Sequence, residues 1–547
     1  PIALALLLAG CQSEPPPPPS VAPSALPAPA PETAQREIKR YDIDTLLSNL
    51  RLTGADVSPD ASKVLFASNA TGVFNLYEIP VSGGEPVALT NSTTDAHYAI
   101  GYFPNDGRVL YTADQGGNEL NHVYVRELDG STRDLTPCEK CKASFGGWAD
   151  DDQSFFVMTN ERDERYFDIY EYAVDGYART LTFENTLGVF PSAISRDKRF
   201  IALGKVNTTS DSDILLYDRE TKEVKNLTAH EGVVSNDAVA FAPDGDLLYT
   251  SNQEGEFSRL LKMNLATGAS SVVFETNWDV VNAVYTPDDS RLLVYVNADA
   301  RTELTLLDLA SGEKVTLPSV PAGDITGVDF SKDGQRLAFY VASSRSPGSL
   351  WTAELGGQAQ QLVSSLNPAI NPEDLVEGEV VRFNSYDGLE IPGILYMPHG
   401  ASEAEKVPAM VWVHGGPGGQ SRLNYSALIQ YLVNHGYAVY AINNRGSSGY
   451  GKTFFAADDR KHGEADLDDV VESKKMLAAT GKIDADRIGI IGGSYGGYMT
   501  AAALTFRPDA FAVGVNIFGV TNWVRTLESI PPWWEAQRQA LYAELGD

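Results

Sequence analysis

The sequence predicts a seven-bladed β-propeller followed by an α/β domain with a mostly parallel sheet. Two observations predict this architecture: a turn that recurs about every 45 residues between residues 41 and 370, and alternating strand and helix patterns from residue 371 onward. A length of 547 residues suggests about three domains, or two large ones. Hydrophobic residues make up 43% of the chain, which is enough for large cores and excludes a wholly disordered protein.

The propeller prediction depends on seven turns that each contain an aspartate. The spacings between successive aspartates are 46, 45, 46, 47, 44 and 45 residues, and the aspartates are Asp60, Asp106, Asp151, Asp197, Asp244, Asp288 and Asp333. Each unit carries several short apolar strands and often ends in a Leu-Thr step, as at Leu89-Thr90. A period near 45 with four short strands is typical of a propeller blade, so residues 41–370 are predicted to form seven blades.

The first 40 residues predict a leader and a linker. The apolar run Ile2–Ala9 leads into Cys11, and this ending resembles a bacterial lipobox, in which the cysteine carries a lipid. We therefore expect residues 1–11 to be a lipoprotein signal remnant with a clipped start, Cys11 to be the lipidation site, and residues 12–40 to be a Pro-rich linker. The alternative is a frayed apolar terminus. The prediction is an exported lipoprotein of the bacterial cell envelope, facing the periplasm or the exterior, whose membrane contact is the lipid anchor.

The composition limits the classes of partner and cofactor that the sequence predicts. With 73 acidic against 42 basic side chains, the net charge is −31, which argues against nucleic acid because phosphate binding needs clustered Lys and Arg. Three cysteines are too few for a four-thiolate zinc site, and no metal or organic cofactor is implied. Cys138 and Cys141 form a lone C-x-x-C among turn residues, which favours a local disulfide or an inert pair over a redox site.

A candidate nucleophile lies in the α/β region. Gly492-Gly493-Ser494-Tyr495-Gly496 fits the G-x-S-x-G pattern and stands between an apolar strand, 487–491, and a predicted helix. Small residues around a serine permit the strained strand-to-helix turn that exposes its hydroxyl, as in an α/β-hydrolase. The alternative is a glycine-rich turn without chemistry.

A second glycine-rich segment follows a predicted strand at 409–413. In His414-Gly415-Gly416-Pro417-Gly418-Gly419 the backbone N–H groups can approach a tetrahedral oxyanion, and the N–H of Tyr495 would supply the other half of that hole. His414 is expected to be structural. A phosphate-binding loop is the competing interpretation, but no Gly-Lys-Ser/Thr follows.

The sevenfold repeat and three motifs together resemble the prolyl oligopeptidase family of serine peptidases, in its branch of bacterial dipeptidyl-aminopeptidase and acylaminoacyl-peptidase types. The motifs are the segments 414–417, 444–451 and 492–498, and the resemblance runs from residue 41 to 547. It implies a propeller that restricts access to short peptides and an α/β-hydrolase domain at 371–547. Dipeptidyl peptidases also bind a free amino terminus through acidic propeller residues; Glu161, Asp163 and Glu164 are candidates, with a solvated loop as the alternative.

The resemblance also assigns roles to individual residues. Ser494 would be the nucleophile, and the N–H groups of Gly416 and Tyr495 would form the oxyanion hole. Val520, Trp523 and the Tyr495 ring would line the pocket for the residue before the scissile bond; the alternative is that Trp523 belongs to an aromatic core cluster with Trp533 and Trp534. Arg445 is expected to brace loops rather than to contact substrate.

The chain differs from the family pattern at the general base that would activate the serine. A serine nucleophile needs a histidine oriented by a carboxylate, and in this fold they follow the serine by roughly 80 and 110 residues. All seven histidines precede Ser494, and the aspartates after it are Asp509, expected at the far edge of the sheet, and Asp547. We therefore expect a truncated hydrolase domain whose sheet is incomplete at the C-terminus, and a chain that is inactive alone. The alternatives are a non-catalytic propeller scaffold and an esterase on the same fold; exopeptidase or endopeptidase action and oligomeric state stay open.

Overall fold

The computed structural model describes residues 37–546, of which residues 39–546 belong to one compact unit. Seven four-stranded antiparallel sheets precede a six-stranded mixed sheet. Each four-stranded sheet is one blade, so the predicted seven-bladed propeller joined to an α/β-hydrolase sheet is confirmed. The predicted leader, the lipidation site at Cys11, the linker up to residue 36 and Asp547 lie outside the described residues. Within residues 37–546, no helix has the length and apolar character needed to cross a bilayer.

Every blade is built from four strands that are consecutive in the chain. Blades 1 to 4 comprise β1 Leu52–Val57, β2 Lys63–Ser68, β3 Asn75–Pro80, β4 Val87–Ala88; β5 His97–Tyr102, β6 Val109–Ala113, β7 His122–Arg126, β8 Thr132–Asp134; β9 Ala143–Trp148, β10 Ser154–Asp163, β11 Tyr166–Ala173, β12 Arg179–Phe183; β13 Phe190–Ile194, β14 Phe200–Thr208, β15 Asp211–Asp218 and β16 Val224–Asn226. Blades 5 to 7 comprise β17 Asn236–Phe241, β18 Leu247–Ser251, β19 Arg259–Met263, β20 Ser270–Phe274; β21 Asp279–Tyr285, β22 Arg291–Ala298, β23 Arg301–Asp308, β24 Lys314–Val315; β25 Asp324–Phe330, β26 Arg336–Ser343, β27 Ser346–Glu354 and β28 Gln360–Val363. A short helix, α1 Ile43–Leu47, precedes the first blade.

The recurring aspartate closes the turn between the first and second strands of a blade. In four blades its carboxylate accepts a hydrogen bond from the hydroxyl two residues earlier, at 2.6–2.7 Å: Ser58 to Asp60, Ser195 to Asp197, Thr286 to Asp288 and Ser331 to Asp333. A short polar side chain that bonds back to its own turn fixes the turn geometry. This local chemistry explains why the repeat is visible in the sequence.

In the part of the chain that the structure describes, no strand is exchanged between blades, and blade 7 contacts blade 1 through side chains. Asp329 on β25 accepts a hydrogen bond from the backbone N–H of Val57 on β1, at 2.8 Å. Asp56 on β1 accepts one from the N–H of Tyr102 on β5, at 2.7 Å. These two carboxylates therefore link the first strands of three successive blades.

The six-stranded sheet has the order β29-β30-β32-β31-β33-β34, antiparallel as far as β32 and parallel from there. Its strands are β29 Glu379–Asn384, β30 Glu390–Tyr396, β31 Val407–Val413, β32 Ala438–Ile442, β33 Ile483–Gly493 and β34 Gly514–Ile517. The helices are α2 Ala427–Asn434, α3 Lys452–Phe455, α4 Ala465–Ala479, α5 Tyr495–Phe506, α6 Trp523–Glu528 and α7 Glu535–Leu545, with 3₁₀ turns at Pro372–Asp374, Ala456–Asp458 and Pro532–Trp534.

The central parallel strands, β31, β32 and the second half of β33, are packed on both faces, whereas the edge strand β34 is partly exposed. Leu467 of α4 and Met499 of α5 pack with Ile490 on one face, while Val433 of α2 packs with Val439 on the other. The apolar run 511–515 predicts a strand, and the structure differs from this prediction. In the structure β34 begins at Gly514, because the chain bends at Ala512 after the buried ring of Phe511.

Candidate active site

The predicted nucleophile Ser494 stands in the turn between β33 and α5. Its backbone has φ +55° and ψ −118°, a left-handed conformation that costs a non-glycine residue free energy and is typical of a nucleophile elbow. Neighbouring glycines allow the turn to pack, since a Cβ on Gly496 would overlap the carbonyl oxygen of Val413. Ser494 itself is exposed. The turn thus presents a serine hydroxyl at the end of a buried strand.

The glycine-rich loop lies beside Ser494. β31 pairs with β33 in parallel with Val413 opposite Gly492, so the segments that follow both strands leave the sheet side by side. A Cβ on Gly415 would be 3.7 Å from the Cβ of Ser494. Gly416 has φ +154°, and a Cβ there would be 2.7 Å from the amide nitrogen of Gly418. The structure therefore places the glycine-rich loop, at Gly415, beside Ser494; the oxyanion role of the Gly416 and Tyr495 N–H groups stays a prediction.

The predicted pocket residues also lie near Ser494. The N–H of Val520 donates to the Ser494 carbonyl at 3.3 Å. The Trp523 ring packs against those of Tyr498 and Tyr495, with centroids 5.4 and 6.1 Å apart. The Tyr495 ring is 1% exposed, so it forms a wall beneath Trp523 rather than an open surface.

His414 is engaged elsewhere. Its Nδ1 donates to the Gly415 carbonyl at 2.8 Å, and its Nε2 is hydrogen-bonded with the Ser447 hydroxyl at 2.7 Å. Burial lowers the pKa of this imidazole, which keeps it neutral. Both ring nitrogens hold the loop in place, as the structural interpretation expects.

No histidine within residues 37–546 forms a hydrogen bond with the Ser494 hydroxyl. Asp509 is equally remote, because it follows α5, whose 12 residues span about 18 Å. Arg445 pairs with Asp387 and Asp469 at 2.8 Å each and thereby joins two loops to α4. Within residues 37–546, the predicted nucleophile therefore has no histidine bonded to it.

The sequence did not predict a buried polar cluster under Tyr495. The cluster contains Asp458, His462 and Asp466, and their spacing of four residues was the one signal that could have revealed it. His462 Nδ1 lies 2.8 Å from the Tyr495 hydroxyl and 3.3 Å from an Asp458 oxygen. The hydrogen bonds and charges of the two carboxylates outweigh burial and raise the pKa of His462 to about 10.

Two groups in the described part of the chain have donor atoms close enough to hold a metal ion. One is the Asp458, His462 and Asp466 cluster. The other joins His122 to Cys138 and Cys141, but these cysteines form a disulfide and so offer no thiolate. The acidic loop suggested for amine binding is also paired, since Glu161 binds Arg179 at 3.0 Å and Asp163 binds Arg165 at 2.8 Å.

Comparisons with known proteins agree with this geometry. The family model for the N-terminal β-propeller domain of prolyl oligopeptidase matches residues 91–365, and that of the prolyl oligopeptidase family matches residues 423–545. Dipeptidyl aminopeptidase BIII of Pseudoxanthomonas mexicana is 27% identical over 519 residues, which cover 92% of this chain and 75% of that protein. Human dipeptidyl peptidase 8 is 38% identical over 157 residues, 28% of this chain and 18% of the relative.

A solved structure has the same fold. A puromycin-hydrolysing peptidase of Mycobacterium tuberculosis superposes with a TM-score of 0.78 at 18% identity, over 92% of this chain and 82% of that one. The propeller model alone matches half of the chain, and the second model covers the segment that holds Ser494. The chain therefore belongs to the prolyl oligopeptidase (S9) family of serine peptidases, which are hydrolases.

Proposed function

We propose that this protein hydrolyses short peptides through an acyl-enzyme on Ser494. The observation that carries the proposal is the exposed serine on a strained turn, with the glycine-rich loop in van der Waals reach. Two relatives support the substrate class: one is named a dipeptidyl aminopeptidase, and the other a puromycin-hydrolysing peptidase.

The reaction follows from this arrangement. Ser494 Oγ attacks the peptide carbonyl carbon while a base takes its proton, and the carbonyl oxygen becomes an oxyanion. The N–H groups of Gly416 and Tyr495 would hold that oxyanion, each such donor being worth roughly 10²–10³ in rate. The amine leaves with the proton, and water then hydrolyses the acyl-enzyme.

Limited access through the propeller is the second part of the proposal. The first strand of each blade lines the central channel of the propeller. At the end of the channel where these strands finish, there is a cavity of about 750 Å³. Ion pairs cross this opening: Arg196 of blade 4 binds Asp289 of blade 6, and Lys332 of blade 7 binds Asp152 of blade 3. These contacts would exclude folded proteins and support a preference for short peptides.

The third part concerns the base. Because the described histidines are occupied elsewhere or remote, we propose that residues 1–547 alone turn over substrate negligibly. The histidine and its carboxylate would then come from polypeptide outside these residues. A non-catalytic scaffold is the alternative that the same observation favours.

The complete reading frame of the gene decides between them. We expect its product to hydrolyse dipeptidyl p-nitroanilides and residues 1–547 to be at least about 10³-fold slower, as expected when the base is lost. Ser494→Ala should abolish turnover in the complete protein, with Ser529→Ala on the surface after α6 as the matched control. Turnover that survives Ser494→Ala would overturn the acyl-enzyme; a complete product that binds peptides without cleaving them would favour the scaffold.

A parallel assay with short-chain esters separates peptidase from esterase action. An esterase would cleave the ester and leave the anilide intact. The lipid anchor at Cys11 and the envelope location stay predictions.

A further inference from the structure

The Tyr495 hydroxyl is held from two sides in the interior of the α/β domain. Its O–H donates to Asp466, and the protonated Nδ1 of His462 donates to its oxygen at 2.8 Å. Asp466 is in turn fixed by the backbone N–H groups of Gly463 and Leu467, at 2.7 and 2.8 Å, so it is anchored to the start of α4.

These groups are shielded from water. Asp466 is fully buried, and the side chain of His462 is 5% exposed. An unpaired carboxylate at such a depth would be strongly destabilising, whereas a cationic imidazole between Asp458 and Asp466 offsets one of their two negative charges. The hydrogen bond from His462 to Tyr495 is therefore charge-assisted, a type that is roughly twice as strong as a neutral one.

A second contact ties the same loop to α5. The hydroxyl of Tyr498 donates to the backbone carbonyl of His462 at 3.0 Å. Tyr495 and Tyr498 are both in the first turn of α5, directly after Ser494. The loop that carries His462 thus holds the beginning of this helix at two points.

The backbone N–H of Tyr495, rather than its ring, is the part of this residue that is predicted to contact the reacting group. Its N–H is the predicted second donor to the oxyanion, and its Cα joins that N–H to the ring. A donor must lie within hydrogen-bond distance of the developing charge, and a misplacement of 1 Å can cost about 10²-fold in rate. Because the Tyr495 hydroxyl is held by hydrogen bonds, the ring cannot tilt freely. The displacement of the backbone N–H is therefore restricted as well.

We propose that His462 is a positioning residue for acyl transfer: by binding the Tyr495 hydroxyl together with Asp466, it holds the Tyr495 N–H at the oxyanion site. This inference rests on the proposed function. It assigns no contact with substrate to His462, and its effect is expected in the chemical step rather than in substrate binding.

The experiment compares His462→Asn, His462→Gln and His462→Ala in the product of the complete reading frame. The amide nitrogen of Asn coincides with Nδ1, whereas that of Gln coincides with Nε2. We expect Asn to keep kcat within about threefold, and Gln and Ala to lower kcat roughly 10- to 100-fold with KM within about twofold. His435→Ala, a half-buried histidine at the end of α2, is the matched control and should leave both constants unchanged.

A double-mutant cycle with Tyr495→Phe adds a readout that general destabilisation would not give. If the two side chains act as a unit, the double variant should be no slower than the slower single variant. Thermal melts of each variant identify any that fail to fold, and the comparison of Asn with Gln then carries the test.

Three outcomes would overturn the inference: equal kcat for the Asn and Gln variants, an effect confined to KM, or additive losses in the cycle. Ser494→Ala separates these from failure of the proposed function. If hydrolysis survives that change, the proposed function and this inference both fail; if it depends on Ser494 and one of the three outcomes is found, the inference fails alone.

Discussion

Arg445 illustrates how single residues brace the loops around the site. Its guanidinium binds Asp469, which is fully buried, and Asp387, which is half exposed. Removing the cation would leave the Asp469 carboxylate without its partner in the interior, and breaking such a pair costs about 3–5 kcal/mol. We therefore expect Arg445→Ala to lower the free energy of unfolding by about that amount, measured as a lower urea midpoint.

The exposed pair of Lys475 with Glu472 on α4 is the matched control. Both side chains belong to one helix surface, and such pairs contribute about 0–1 kcal/mol. Lys475→Ala should therefore shift the midpoint little. Equal midpoints for the two variants would show that Arg445 has no bracing role.

At the residue scale, the sequence predicted what local chemistry dictates. Ser494 and Gly416 belong to contiguous motifs whose glycines are needed for the turns, so their neighbourhood could be expected. The bond between His462 and Tyr495 joins residues 33 positions apart and depends on how α4 packs against α5. A single sequence contains no local signal for that packing.

Among the elements, β34 has one edge that pairs with no strand of residues 37–546. It pairs with β33 and lies at the end of the sheet, and Val515 and Phe518 beside it are 41% and 84% exposed. An open apolar edge is a template for pairing with another strand. We expect residues 37–547 to self-associate through it, and Val515→Lys to raise the concentration at which light scattering begins roughly fivefold, which corresponds to about 1 kcal/mol of like-charge repulsion.

A charge placed elsewhere tests whether the edge is responsible. Val281 is 53% exposed but lies on β21, a first strand that lines the channel. Val281→Lys should leave the onset of scattering unchanged. If both variants raise it equally, net charge rather than the edge controls association.

The elements that the sequence predicted well are those whose pattern is local. The Leu-Thr steps mark the ends of blades because the threonine hydroxyl accepts a hydrogen bond from the third strand, as from Leu76 to Thr90 at 2.9 Å and from Ile214 to Thr228 at 2.8 Å. The start of β34 was misplaced by three residues, because Phe511 is buried in the core although it precedes the strand. Apolar character alone does not distinguish the residues of a strand from buried residues that precede it.

For the whole molecule, the junction of blades 7, 1 and 2 couples stability to pH. Asp56 and Asp329 are half-buried in the channel wall, and each accepts a backbone N–H of the next blade. Removal from bulk water raises the pKa of Asp329 from 3.8 to about 7, and burial together with the charge of Asp329 raises that of Asp56. A protonated carboxyl still accepts a hydrogen bond through its carbonyl oxygen, so protonation removes the repulsion and keeps the link.

The sign of the pH dependence follows from these shifts. Because the folded-state pKa lies above the unfolded value, the contribution to stability is complete below about pH 4 and is lost as the pH rises through 7. We expect the thermal midpoint of propeller unfolding to fall between pH 5 and pH 8, and Asp329→Asn to reduce that fall, because the amide oxygen accepts from Val57 without charge. Asp129→Asn is the control: its pKa is lowered by hydrogen bonds with Ser131, so it does not titrate in this range. A fall that persists unchanged in Asp329→Asn would show that Asp329 is not the titrating group.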